Sequence, residues 1–250
     1  MIDWATYFDK IYCEFFIPNK DRFERLDNEL ARVGIKKARV FEYSFNTPSS
    51  FDNILLKEIQ KLPHLPIMKP AYVNHLLQRE RIFRMALIQG YERILVLEDD
   101  IAFLRDMNQL EDILASMPQG YDAFQMDKFL LPSNRATWFK LVKENQINRH
   151  WVSQSNCRFT SAACMAYTKA GIQEMLHIIE TTPGSVDQLS KSFRRKWAIS
   201  IPNCAIQLVY GNATNLSYMN IERLHSVYSG IVDYRQYNCP DGYPEKKRTL

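Results

Sequence analysis

Glycine is scarce in this chain. Eight glycines are spread over 250 residues. None of them builds the Gly-rich loop whose backbone amides cradle phosphate in the common nucleotide-binding motifs. Histidine is scarcer still, with five residues, too scattered to make a His-rich metal motif. The five cysteines, Cys13, Cys157, Cys164, Cys204 and Cys239, are odd in number and widely spaced. Without a C-x-x-C pair they point to neither a zinc site nor a disulfide framework. Reduced thiols of a cytosolic protein are the simple reading. No apolar run approaches the ~20 residues that cross a bilayer. The opening residues, Met1 to Lys10, have neither the basic start nor the apolar segment of a secretory signal, so none is expected. A net charge of +4 is too mild for general nucleic-acid binding; it suits an anionic small molecule or an anionic membrane surface.

What is present is ordinary globular composition, 46% hydrophobic and 24% charged. The length allows one large domain or two small ones. Repeats, low-complexity segments and clear linkers are absent, so a single domain over 1–250 is expected, either whole or as one module of a longer protein.

One stretch stands out, Arg93-Ile-Leu-Val-Leu-Glu-Asp-Asp100. Ile94 to Leu97 are apolar without a break, the pattern of a strand buried on both faces. Three carboxylates follow at once, and unpaired charges are too costly to leave in a core. Glu98, Asp99 and Asp100 are therefore expected at the carboxyl edge of the strand, facing water, a cation or a ligand. Open α/β sheets place their ligands at that edge. Clustered acids there can hold a divalent metal, supply a general base, or cap the next turn. The like charges need a cation to offset them, which favours the metal.

The rest of the chain alternates strand and helix. Lys10 to Ile17 reads as a strand. A helix bearing Phe23, Leu26, Leu30 and Val33 follows, from an Asn19 cap to Gly34. Ala38 to Tyr43 is a second strand, so the chain opens with a parallel strand–helix–strand unit. Residues 46–70 read as a loop-rich insertion with a short helix at 51–62. Tyr72 to Gln89 is an amphipathic helix closed by Gly90. A helix over 107–116 and a strand over 121–126, ending on Asp127, come next. Residues 130–157 read as irregular. A small-residue strand (161–167), helices over 169–180 and 188–195, and strands over 197–201 and 205–210 complete the pattern. The fold class expected is α/β, with a mostly parallel, Rossmann-like central sheet and helices on both faces.

A strand ending in Glu-Asp-Asp within an α/β chain resembles the "DxD"-type signature of GT-A nucleotide-sugar glycosyltransferases. More specifically, the chain resembles glycosyltransferase family 25, the lipopolysaccharide-biosynthesis galactosyltransferase type, over about its first three quarters. Phe16 to Arg25 with Leu30 to Ile35 is similar to that family's first strand and helix. Asn74-His75-Leu76 is similar to its Ser-His-Leu segment, with Asn74 in place of serine. Arg93 to Ile101 is similar to its "ALVLEDDV" core. Thr160 to Tyr167, Lys169-Ala170-Gly171 and Val186-Asp187 are similar to its "GTxAYxxSxxGA…PVD" region, with Thr160-Ser161 where the family has Gly-Thr.

The resemblance implies a GT-A-like fold and a division of roles. Pro18, Asn19 and Arg22 would lie near the nucleotide base or ribose. His75 and Arg79, one helical turn apart, would approach the diphosphate or sugar. Glu98 would face the ribose or sugar, Asp99 would orient the sugar or support the metal ligands from behind, and Asp100 would be the main metal ligand, with Glu98 and His225 completing the set. Asp187 is the leading acid for deprotonating the acceptor hydroxyl, and Asp127 would join the acceptor site or serve as that base. Helix capping by Asn19 and Asp187 and a structural hydrogen bond at His75 are the plainer alternatives. The basic run Arg194-Arg195-Lys196 reads as solvated, with peripheral membrane contact the alternative.

The activity so implied is metal-dependent transfer of a hexose, galactose in pyranose or furanose form, from a UDP-sugar to a hydroxyl of a bacterial surface glycan or its lipid-linked precursor, with inversion. Mn2+ or Mg2+ is the cofactor, and no nucleic acid is involved. The expected compartment is the cytoplasm, including the inner face of the membrane. Two rivals use the same acids differently. A metal-dependent phosphohydrolase or nucleotidyltransferase would need clustered His or Asp ligands or a Gly-rich loop. A non-catalytic carbohydrate-binding module would leave the acids at the surface.

Overall fold

A computed structural model of the chain describes residues 2–16, 20–36, 39–43, 70–128, 134–154, 161–182, 186–189, 192–208 and 234–239. For residues 15–16, 20–22, 39–43, 70–74, 187–188 and 234 it describes the backbone alone. The strands are β1 (Lys10–Phe16), β2 (Arg39–Tyr43), β3 (Arg93–Glu98), β4 (Ile101–Phe103), β5 (Ala123–Gln125), β6 (Gln146–Asn148), β7 (Trp151–Gln154), β8 (Cys164–Thr168), β9 (Trp197–Ser200) and β10 (Ala205–Gln207). The helices are α1 (Lys20–Arg32), α2 (Pro70–Ile88), α3 (Met107–Ala115), α4 (Arg135–Asn145), α5 (Lys169–Thr181) and α6 (Val186–Leu189).

Eight strands form one sheet in the order β2-β1-β3-β8-β5-β9-β7-β6, and β4 pairs with β10 in a small second sheet. Six strands of the large sheet run in one direction, while β8 and β7 run against them. The α/β class is thus realised, with a mixed sheet flanked by helices in which most strands share one direction. β1 is flanked by β2 and β3, parallel to both, as the opening strand–helix–strand pattern implies.

The strands sort their side chains by alternation. On β3, Leu95 and Leu97 enter a core formed with Leu26 and Leu30 of α1, Val33 just past its end, and Leu110, Ile113 and Leu114 of α3. Ile94 and Val96 enter the opposite core, formed with Leu76, Ile82, Phe83 and Ala86 of α2 and Ile172, Met175 and Ile179 of α5. Both faces of β3 are dry, which is why its apolar run is unbroken. Each Leu, Ile, Val, Phe or Met side chain so covered contributes roughly 1.5–3 kcal/mol of burial.

Helix ends obey local chemistry. Gly34 and Gly90 sit at φ 84° and 72°, the left-handed positions that stop α1 and α2. Asp106 caps α3 through Asn108 and Gln109, and Thr168 caps α5 through Gly171.

Two local expectations are corrected. Residues 135–154 are ordered as α4, β6 and β7: Trp138 and Leu141 anchor α4 and Trp151 is fully buried, so a few large side chains do what a clear period would have announced. Of the helix expected over 188–195, the described residues show α6 (Val186–Leu189), and residues 193–196 are not helical. The strand expected over 205–210 is present as β10, which pairs with β4. The stretch over 46–69 lies outside the described residues.

Candidate functional site

The carboxyl ends of β1, β3 and β5 lie at one edge of the sheet, where β8, running the other way, begins. Alternation places Glu14 of β1 on the same face as Tyr12, and Glu98 of β3 on the same face as Ile94 and Val96. Glu14 and Glu98 are in direct register. Two carboxylates side by side would repel, and α2 supplies the answer. His75 and Arg79, one turn apart, face the sheet with Leu76, Ile82 and Phe83, and Arg79 is fully buried.

Arg79 binds Glu14 with Nε to Oε1 at 3.0 Å and Nη2 to Oε2, and Nη2 also donates to the carbonyl of Ala162 at 3.2 Å. Nη1 has no acceptor among the described residues. His75 Nε2 lies 3.0 Å from Glu14 Oε2 and 3.6 Å from Glu98 Oε1. Burial alone would raise the pKa of Glu14, but the adjacent Arg79 and His75 bring it down to about 2. Burial would lower that of His75, yet Glu14 and Glu98 lift it to about 9. At neutral pH Glu14 is therefore a carboxylate held between two cations.

Glu98, Asp99 and Asp100 are all buried, at 9%, 1% and 4% exposure. Of the surroundings expected for them, water, a cation or a ligand, open water is not what they meet, because the fold brings polar partners over them. Gln207 of β10 reaches across with Nε2 3.1 Å from Glu98 Oε2 and 3.2 Å from Asp100 Oδ2. The Leu208 amide donates to the Asp100 carbonyl at 2.5 Å. Arg25 of α1 donates to the carbonyl of Ile101. Burial lowers the Arg25 pKa, while the negative charges of Glu29, Asp100 and Asp99 raise it. Sequence reasoning picked Arg22 on this helix; its side chain lies outside the described residues, and Arg25 is the one seen at the edge.

Glu14, His75 and Glu98 are the one group of three potential metal ligands found among the described residues, their donor atoms within 4.8 Å of one another. Chemically this group is already saturated. Both oxygens of Glu14 are engaged by Arg79 and His75, and a metal there would have to expel a proton from His75 beside a guanidinium. The second arrangement fits a hard cation better. Glu98 Oε2 and Asp100 Oδ2 converge on one amide nitrogen of Gln207, so two carboxylate oxygens already aim at one point, the donor type that Mn2+ and Mg2+ prefer.

Asp127 follows β5 at the same edge, two strand spacings from β3, about 10 Å. It is fully buried, accepting from Ser161 Oγ at 2.7 Å and Asn203 Nδ2 at 3.3 Å. Ser161 does this from φ 114°, a conformation that costs a non-glycine residue about 1–3 kcal/mol. The Ser161 carbonyl accepts from Gln125 Nε2 at 2.9 Å. Ser161-Ala162 thus links the two groups, touching Asp127 on one side and Arg79 on the other.

Of the residues singled out from sequence, His75, Arg79, Glu98, Asp99, Asp100 and Asp127 all lie at this edge. Asp187 is the second residue of α6, whose Val186 and Leu189 join the α2-side core; its side chain lies outside the described residues. Pro18, Asn19 and His225 do too. The basic run near 195 is exposed, and Arg195 stands 3.9–4.0 Å from Glu174 and Asp122. Glu14, Arg25 and Gln207 were missed. Only Glu14 carried a signal, a lone acid inside an apolar strand.

No protein-family model matches this sequence, and no curated protein matches it either. Solved structures give distant likenesses. The mouse xyloside xylosyltransferase 1 in its apo form has 11% identity and a TM-score of 0.37, covering 74% of this chain and 80% of that one. Mannose-1-phosphate geranyltransferase from Thermus thermophilus has 12% identity and a TM-score of 0.39, covering 76% and 73%. A glycosyltransferase involved in glycosylation of the major capsid of PBCV-1 has 9% identity and a TM-score of 0.39, covering 84% and 100%. Likeness at this level equates no residue of this chain with one of theirs and carries no activity across.

Proposed function

We propose that this chain is a single-domain glycosyltransferase of GT-A type. It transfers a hexose, galactose in pyranose or furanose form, from a UDP-sugar to a hydroxyl of a bacterial surface glycan or its lipid-linked precursor. The observation that carries the reading is the Glu98-Asp99-Asp100 cluster at the carboxyl edge of β3, with Glu98 and Asp100 converging on one point. Open α/β sheets bind ligands at that edge. No helix among the described residues is long and apolar enough to cross a membrane, and we place the reaction in the cytoplasm or at the inner membrane face.

A divalent cation held by Glu98 and Asp100, with His225 as third ligand, would offset the charge gathering on the departing UDP. The chain's own residues do the rest. The Arg79–Glu14–His75 group holds Glu98 in place. Pro18, Asn19 and Arg22 contact the nucleoside, and Asp99 orients the sugar. The acceptor oxygen forms the new bond to the anomeric carbon as the bond to UDP breaks. The electron pair leaves with UDP, and the acceptor proton passes to a carboxylate, Asp127 or Asp187. Attack from the face opposite UDP inverts the anomeric centre.

Thermal shift with a panel of UDP-sugars, with and without Mn2+, tests this. Stabilisation by a UDP-sugar in the presence of metal, lost in Asp100→Ala, is expected. If no UDP-sugar stabilises the wild type, the reading fails. Metal-dependent stabilisation that survives in Asp100→Ala removes the metal assignment alone.

A further inference from the structure

Directly after Asp127 comes a residue that the donor site does not use. Lys128 is buried at 3% exposure. Its Nζ donates to the Ser200 carbonyl at 2.8 Å and to Asn203 Oδ1 at 2.6 Å. It also lies 4.5 Å from the centre of the Trp138 ring. Among the described residues no carboxylate forms an ion pair with it. Asn203 turns its other end to Asp127, with Nδ2 3.3 Å from Oδ1 and 3.2 Å from the Lys128 carbonyl. The Tyr237 hydroxyl fixes the Asn203 carbonyl at 2.9 Å. One amide side chain therefore stands between a buried ammonium and a buried carboxylate, bonded to both and anchored from behind.

The surroundings contain few other charges among the described residues. Cys204 lies near Lys128, and Cys164 and Cys204 lie near each other; burial pushes the Cys204 thiol up to about 12 and the Cys164 thiol well above its usual range, so both are neutral. Among the described residues α4 contributes Trp138 to this place, and β9 contributes Ser200. Desolvation pulls the Lys128 pKa down to about 7, with Asp127 pulling the other way.

We propose that Lys128, Asn203 and Asp127 form one charge-coupled unit, in which Lys128 acts through the Asn203 amide to hold Asp127 as a carboxylate and to set how readily it takes a proton. The Ser200 carbonyl and Asn203 Oδ1 need two N–H bonds, which the ammonium and the neutral amine both possess. The lysine proton can leave without breaking either contact. What changes is the charge, together with the attraction between ammonium and ring. With Lys128 charged, Asp127 is a stable carboxylate and a weak base. With Lys128 neutral, the same carboxylate is a stronger base. Lys128 and Asn203 are positioning residues, and Asp127 is the group that meets the proton. The catalytic meaning rests on the reading of Asp127 as base for acceptor deprotonation; the coupling itself does not.

Two variants of similar volume test the coupling by nuclear magnetic resonance on protein labelled at lysine and aspartate. The Lys128 amine titrates near 7 in the wild type, and Asp127→Asn lowers that midpoint by about one unit. Reciprocally, Lys128→Met raises the Asp127 midpoint, because a coupling free energy is shared by both partners. A folded variant that leaves its partner's midpoint in place refutes the unit, and either variant alone suffices. Hydrolysis of UDP-galactose with Mn2+ then tests the catalytic meaning. An inflection of kcat near 7 should vanish in Lys128→Met with KM unchanged. Coupled midpoints with an unaltered pH profile refute Asp127 as the base. A wild type that turns over no UDP-sugar refutes the donor reading, while the midpoints still decide the coupling.

Discussion

Lys128→Met separates the cost of burying a charge from everything else in the protein. In the folded chain Lys128 titrates near 7, whereas its ordinary value is 10.5. Below pH 7 both folded and unfolded chains hold the proton, and the folded chain bears the full desolvation cost. Between pH 7 and 10.5 the unfolded chain holds more protons than the folded one, so stability rises with pH across that window. At about 1.4 kcal/mol per unit, the whole window is worth at most about 5 kcal/mol, and the part from pH 7 to 9 about 2–3 kcal/mol. The methionine variant lacks this term. It also leaves the Ser200 carbonyl and Asn203 Oδ1 without their donor, a cost of about 1–3 kcal/mol at every pH. The slope is therefore diagnostic, not the offset. Urea unfolding of both proteins from pH 6 to 9 reads it directly. The difference between them should stay flat up to pH 7 and then move in favour of the wild type by about 2–3 kcal/mol. Parallel stability curves across that range would refute the buried, neutralised lysine.

Three further outcomes are expected. Arg79→Met strands Glu14 in the core and should cost about 3–5 kcal/mol in urea unfolding, whereas the double variant Glu14→Leu/Arg79→Met should recover most of it; equal losses in single and double variants would contradict a pairwise network. His75 has its pKa raised from 6.5 to about 9, so its contribution is fully present below 6.5 and is lost as pH rises through 9, a fall that His75→Gln should abolish in the same assay. Gly171→Ala would place a Cβ 2.0 Å from the Asp122 carbonyl oxygen, a backbone atom that cannot swing aside. A loss of about 3 kcal/mol is expected, and an unchanged melting temperature would show that α5 can shift.

How much of this was legible beforehand follows a physical divide. A strand buried on both faces must be apolar at every position, so β3 could be read from Ile94 to Leu97 alone, and so could the edge position of the acids behind it. The helical spacing of α2 and the left-handed stops at Gly34 and Gly90 are local too. The segment over 135–154 was not legible, because α4, β6 and β7 are held by Trp138, Leu141 and Trp151 through distant contacts. The Trp151 indole, for example, donates to the Ile113 carbonyl at 3.0 Å.

The candidate site divides in the same way. Clustered carboxylates after an apolar run announce that something must balance them, and that requirement is written in the sequence. Which groups do so depends on strand order. Glu14 and Glu98 meet because β1 lies beside β3, although 84 positions separate them in register. Gln207 meets Glu98 and Asp100 because β10 pairs back on β4. Asn203 stands between Lys128 and Asp127 because β9 lies beside β5. By itself the sequence determined the α/β pattern, the dry central strand and the need for counter-charge at its end. Only the tertiary structure decided that the acids would be buried, which cations and amides cover them, and that a neighbouring lysine would share an asparagine with Asp127. Electrostatic partners are chosen by proximity in space, and proximity across a sheet is set by topology rather than by any local run of residues.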